Sequence, residues 1–148
     1  YATADTLSQA LDAPVVAAFD SGNLSKVAQV LHDKYPHKPI VIAGDNDFTQ
    51  ESVNGINPGK EKALEAAQLV NGAVVLPIFA PGEQMSQQLS DFNDLANKSV
   101  LGIEAVKRQV GSVVEKASQQ AKQDSLLKLQ ASIEPKQQEI KQKRALIR

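Results

Sequence analysis

Ile40-Val41-Ile42-Ala43-Gly44-Asp45-Asn46-Asp47 is a short apolar, β-branched run that stops on a glycine and two carboxylates one residue apart. An unbroken apolar run suits a strand buried on both faces, as in a parallel sheet, and such sheets place ligands outside the carboxyl ends of their strands. Asp45 and Asp47 fall at that end. Gly44 lets the backbone turn sharply and come close to a ligand, and two hard oxygen donors suit Mg²⁺ or Mn²⁺ better than Zn²⁺, which prefers His and Cys. Asp and Asn are also ordinary turn residues, so the same letters describe a solvated turn.

Outward from that run, the elements alternate in the α/β manner. Residues 2–12 read as a helix closed by Pro14, and Val15-Val16-Ala17-Ala18-Phe19 as a buried strand ending at Asp20. Leu24, Val27, Ala28, Val30 and Leu31 give the next helix a broad apolar face up to Tyr35-Pro36. After Asp47, residues 48–56 read as a polar loop with the turn signal Asn54-Gly55, ending at Asn57-Pro58, an N-cap followed by proline at the first helical position. A helix over 60–70 is capped by Asn71-Gly72, and residues 73–79 read as a further strand. Strands joined by helices of this length imply right-handed crossovers and a parallel sheet. Residues 80–90 read as irregular, and Ser90 or Asp91 as the cap of a short helix that brings Asp91 and Asp94 to one side of a turn. A capping Asp beside an unrelated surface Asp accounts for the same pair.

The remaining third of the chain has a different character. Ile103, Val106, Val110, Val113, Ala117 and Ala121 recur at intervals of three and four, predicting one long amphipathic helix with Lys107, Arg108, Lys116 and Lys122 on its other face. Leu126, Leu129 and Ile133 continue the stripe with a phase shift, and Glu134-Pro135 predicts a break or kink. Residues 1–98 thus read as one α/β domain and 99–148 as a basic helical arm or linker. The net charge of −1 conceals the division: residues 1–100 carry 6 Lys+Arg against 12 Asp+Glu, residues 101–148 carry 10 against 5. An acidic body suits a metal site and a basic arm suits nucleic acid or a partner, though a solvated helix carries the same surplus.

Composition excludes several classes. Cysteine is absent, which removes disulfides, thiolate metal sites and a Cys nucleophile and fits a cytoplasmic setting. No apolar run approaches membrane-spanning length, and no basic-then-apolar leader opens the sequence, so the reading is a soluble protein without a membrane partner. Four Phe, two Tyr and no Trp leave little for an extended base-stacking platform. His32 and His37 bracket the Tyr35-Pro36 helix end without metal-ligand spacing, and no Gly-x-Ser-x-Gly elbow supports Ser-His-Asp chemistry.

Taken in order, the blocks Tyr1-Ala2-Thr3-Ala4, Val15 to Asn23, Ile42 to Asp47, Asn57-Pro58-Gly59-Lys60 and Asp91-Phe92-Asn93-Asp94-Leu95 make the chain resemble the Toprim (topoisomerase–primase) domain. The likeness covers residues 1–98 and is greatest to the version in plasmid- and phage-type DNA primases, including those fused to conjugative relaxase-type proteins. The fold this implies is a Toprim-like parallel sheet flanked by helices. The resemblance implies Mg²⁺-dependent phosphoryl transfer, with Asp45 and Asp47 as catalytic metal ligands and Asp91 and Asp94 as further metal ligands. It also implies a Glu-Gly pair on a preceding first strand; neither is in the sequence, so the expectation is a fragment that is inactive or nearly so.

For the intact enzyme, the expected chemistry is metal-assisted nucleotidyl transfer in primer synthesis, using nucleoside triphosphates and a single-stranded DNA template. Lys60, or Lys62 behind it, is placed to meet a phosphate near a helix amino terminus, and Asp20 to line the same cleft. A solvated first-turn lysine and a helix-capping Asp20 are the plainer accounts. The alternative function is a non-catalytic scaffold in which the basic arm binds DNA, a partner or further domains of a larger polypeptide.

Overall fold

The computed structural model describes residues 1–147. Its centre is a two-stranded parallel sheet of β1 (Val41–Ala43) and β2 (Ala73–Val75), in the register Val41 opposite Ala73, Ile42 opposite Val74 and Ala43 opposite Val75. Successive side chains of a strand point to opposite faces, and the two faces are covered by different helices. On one side Ile42 packs with Ala28 of α2 (Leu24–Lys34) and with Ala63, Ala66, Ala67 and Val70 of α4 (Pro58–Val70). On the other, Val75 packs among α1 (Ala2–Leu11), α6 (Phe92–Asn97) and α7 (Gly102–Leu146), through Leu7, Ala10, Phe92, Leu95, Val106 and Val110. The result is helices on both faces of a parallel sheet, the α/β architecture expected, with α7 as the long carboxy-terminal helix.

Alanine sets the spacing on the α4 face. Ala63 and Ala66 are wholly buried, and a methyl group added at Gly44 would lie 2.6 Å from the Ala63 Cβ. Helix and strand end therefore meet nearly backbone to backbone, which brings the start of α4 against the loop that follows β1.

Five local expectations are corrected. Residues 15–19 form no strand: a strand exists only in a ladder, and nothing among the described residues pairs with them. Val15 still packs against the core, but the Asp20 N–H closes a three-residue turn on the Ala18 carbonyl at 2.9 Å, with Phe19 at a φ of 65° and its ring exposed. The strand expected over residues 73–79 ends at Val75, because Pro77 has no N–H to donate. Beyond it the side chain of Gln109 substitutes for a neighbouring strand, accepting from the Ile78 N–H at 2.9 Å and donating to the Ile78 carbonyl at 2.8 Å.

The polar stretch after Asp47 is the helix α3 (Phe48–Asn54), ended by Gly55 at a φ of 75°; Asn54-Gly55 is thus a helix terminus, not a free turn. The segment expected to be irregular contains α5 (Glu83–Gln87). Finally, α7 runs through Pro135 without ending. Proline there frees the Ala131 carbonyl, and Ala131 is exposed, so water satisfies the lost bond. The start of α7 is core, with Ala105 and Val106 buried, whereas every residue from 125 to 147 is exposed. No helix of the described residues is long and apolar enough to cross a membrane.

Candidate active site at the strand ends

The ladder continues one residue past β1, where the Gly44 N–H donates to the Val75 carbonyl at 3.1 Å. The next three residues are then fixed from several directions. Asn46 donates its N–H to the Ser90 carbonyl at 2.7 Å and its side-chain amide to the Pro77 carbonyl at 3.2 Å, while Gln84 donates to the Asn46 carbonyl at 3.3 Å. These bonds tie the loop after β1 to the segments that follow β2.

Asn57 ties the same loop to α4. Its Oδ1 accepts from the Asp47 N–H at 2.9 Å and the Lys60 N–H at 3.2 Å, and its Nδ2 donates to Asn46 Oδ1 at 3.0 Å and Glu51 Oε2 at 2.9 Å. With its side-chain amide fully engaged, Asn57 is buried at 3% exposure without an unmet polar atom. Asp47 completes the clamp by accepting from the Gly59 N–H at 2.8 Å. Gly59 has to be glycine, because a Cβ there would stand 2.6 Å from the Asp45 carbonyl oxygen.

Asp91 caps α6 by accepting from the Asp94 N–H at 2.7 Å. Asp94 accepts from the Ser90 N–H at 3.0 Å and pairs with Lys98 at 2.7 Å. Burial pushes the Asp94 carboxyl up, but Lys98 together with the Ser90 and Asp91 backbone donors outweighs it, and the net direction is down. The opposite holds at Asp45. Its carboxyl is held above the ordinary Asp value of 3.8, first by loss of hydration and then by repulsion from Asp91, Asp47 and Asp94. Among the described residues no hydrogen bond or ion pair engages that carboxylate. The structure therefore brings Asp45, Asp47, Asp91 and Asp94 into one negative corner, in which Asp45 alone accepts no hydrogen bond or ion pair among the described residues, the amino-terminal ammonium being the one charge that acts against the repulsion.

Of the other sequence candidates, Asp20 and Lys62 are engaged elsewhere, and Lys60 stands at the start of α4 against the loop after β1. Asp20 accepts from the Asn23 N–H at 3.1 Å and from its side-chain amide at 2.8 Å, as the plainer account had it, and is not among the charges acting on Asp45. Lys62 forms an exposed pair with Glu65 at 2.9 Å, and Lys60 is exposed in the first turn of α4. The backbone donors at that helix start are already engaged rather than open to a phosphate: Gly59 N–H is held by Asp47, and Lys60 and Glu61 N–H by Asn57. Only the Lys60 ammonium remains to meet one.

Asn57 was legible as a cap but not as the hub of the loop. Lys98 was missed although its spacing four residues after Asp94 was a usable signal. Glu83 was missed because its partners are distant in sequence: it is buried, accepts from the Ser99 hydroxyl, from the Val100 N–H at 2.8 Å and from the Ala80 N–H at 3.1 Å, and so fastens the start of α7 to the segment after β2. Ser99, then the Val100 N–H, lower its carboxyl pKa. Beside the corner lies a cleft of about 280 Å³ lined by residues 47–50 and 88–90.

A helix-flanked parallel sheet with an Asp-x-Asp loop at its strand end, matched over residues 1–100 by the Toprim-domain family model, makes the chain a member of the Toprim family. Its relatives narrow this further. It is 37% identical to DNA primase TraC of Escherichia coli over an alignment covering 98% of this chain and 19% of that protein. A second Escherichia coli protein of the same name is 36% identical, over 83% of this chain and 12% of its own length. The chain thus spans less than a fifth of the curated relatives it matches. No solved structure matches it.

Proposed function

We propose that this chain is the Toprim body of a DNA primase, part of a larger plasmid or phage replication or conjugation protein acting in the cytoplasm. In this reading Asp45 and Asp47 bind Mg²⁺ or Mn²⁺ for nucleotidyl transfer in primer synthesis. The observation that carries it is an Asp45 carboxylate without hydrogen bond or ion pair among the described residues, repelled by Asp91, Asp47 and Asp94 at the carboxyl end of a parallel strand. A charge left under repulsion costs stability, which a bound cation would return.

The donor set fits such an ion. Among the described residues no group of three or more His, Cys, Asp or Glu side chains is placed to enclose a metal. Mg²⁺, however, is commonly held by one or two carboxylates, with water and substrate phosphates filling its other positions. Bound there, the ion would neutralise charge developing on phosphate and help orient the attacking hydroxyl. Asp47, pinned by Gly59, presents its remaining oxygen in fixed geometry. Asp91 and Asp94 supply the acidic wall, and either reaches a metal only by releasing the α6 cap or the Lys98 pair. Lys60 meets the triphosphate, with Lys62 behind it.

A second reading, a scaffold that binds single-stranded DNA or neighbouring domains through the basic arm, draws on the uniformly exposed residues 125–147. Calorimetric titration with Mn²⁺ of the chain beside Asp45→Asn and Asp47→Asn separates the two. Binding that is lost in both folded variants supports the metal site; a folded parent that binds no Mn²⁺ leaves the scaffold.

A further inference from the structure

The cleft beside the acidic corner has a lining unsuited to phosphate. Its one charged member is Asp47, which repels anions, and no Lys, Arg or His lines it. Its apolar lining is Leu89, buried at 2% exposure, and Phe48, a residue 41% exposed. Gln50 and Gln88 also line it, and no hydrogen bond among the described residues engages either side-chain amide. Gln88 ends α5 in the left-handed backbone common at helix termini, at a φ of 55°.

An apolar floor, an exposed aromatic face and two amides, each both donor and acceptor, suit one kind of ligand: a flat, uncharged heterocycle with mixed donors and acceptors on its edge. We propose that this cleft is a nucleobase subsite, in which Phe48 offers a stacking face and Gln50 and Gln88 bond the base edge. Asp47 lines the cleft and belongs to the corner, so a base seated there has its sugar and phosphates directed toward Asp45 and Lys60. That the base belongs to a nucleotide substrate rests on the function proposed above; that the cleft takes a base does not.

The test follows the side-chain amide signals of Gln50 and Gln88 by NMR while the chain is titrated with adenosine, guanosine, cytidine or uridine, without metal. In parallel, Mn²⁺ with inorganic tripolyphosphate probes the corner alone. The expected result is movement of both amides by nucleosides, with binding weakened about tenfold by Phe48→Ala and, read there from the backbone amide signals of Leu89 and Ser90, by the double change Gln50→Ala with Gln88→Asn. Asn tolerates the left-handed backbone at 88. Tripolyphosphate binding is expected to be unchanged by these substitutions. If tripolyphosphate binds and nucleosides move neither amide, the nucleobase subsite is overturned and the metal reading stands. If nucleosides bind and Mn²⁺–tripolyphosphate does not, the subsite stands and the metal reading falls. If neither binds, both are overturned.

Discussion

At Asp45 the molecule holds a negative charge against its local electrostatics. A carboxyl raised above its ordinary value binds protons more readily in the folded chain than in the unfolded one, so its ionisation subtracts from stability as pH climbs from about 3.8 through the raised folded value. Asp45→Asn removes that penalty. The metal-free variant is expected to unfold at a higher temperature than the parent at neutral pH, the gap closing as pH falls below 3.8. Added Mn²⁺ should stabilise the parent alone; a parent that outlasts the metal-free variant at pH 7 would contradict this reading. Gly59 sets the position of the same residue from below. Gly59→Ala forces a methyl group into the Asp45 carbonyl, an overpacking that costs about 1–3 kcal/mol and displaces the loop, so Mn²⁺ binding should be lost while the fold persists. Equilibrium urea unfolding and Mn²⁺ calorimetry read the two effects separately. That a strand ends before Gly44 with Asp45 and Asp47 just beyond it was legible in the letters of residues 40–47, although the same letters also describe a solvated turn. Which carboxylate is left without hydrogen bond or ion pair was not, since Lys98 and the Gly59 N–H neutralise or hold their partners through folded geometry.

Among the elements, capped helices were the readable ones. Asn57-Pro58, Asn71-Gly72 and Asp91 each mark a helix end by local chemistry, and each occupies that place in the structure. Strands were overread, because an apolar run states its own preference and nothing about a partner: Val15–Phe19 finds no ladder and residues 76–79 find a helix side chain. The short α3 and α5 escaped because five to seven residues hold too little periodicity to register. The Gln109 contact makes a quantitative expectation. Gln109→Ala leaves the Ile78 N–H and carbonyl without their partner, and because water reaches that region the cost should be about 1–2 kcal/mol in urea unfolding. Glu83 joins α5 to the start of α7 and carries a pH signature opposite to that of Asp45. Its carboxyl is lowered, so the folded chain binds fewer protons between the lowered value and the ordinary 4.5, and its contribution is present above 4.5 and lost as pH falls through the folded value. Glu83→Gln should lower the melting temperature at pH 7 and flatten its fall in acid. Retention of the parent's full acid dependence would count against the role of the Ser99 and Val100 donors.

For the molecule as a whole, charge and burial divide α7 between two uses. Its first turns are core, and every described residue from 125 onward is exposed. Removal of residues 125–148 is therefore expected to leave the melting temperature unchanged, since residues 125–147 are all exposed. If the arm grips single-stranded DNA, the same truncation lowers the log–log salt slope of binding by roughly 0.7 for each phosphate that the arm had neutralised. An unaltered slope would assign DNA binding to the body instead. The core on the α7 face also joins the two ends of the domain, as Leu7 and Ala10 meet Val106 and Val110 in a single cluster. Such pairing is slow to find, because nearly the whole domain must be present before it can close. On a ribosome, β1, α4 and β2 emerge and can collapse on their alanine face while the opposite face waits, its apolar side chains open to chaperones. The start of the basic arm is thus the last piece of the body to become available, and synthesis through it is the step that commits the domain to fold.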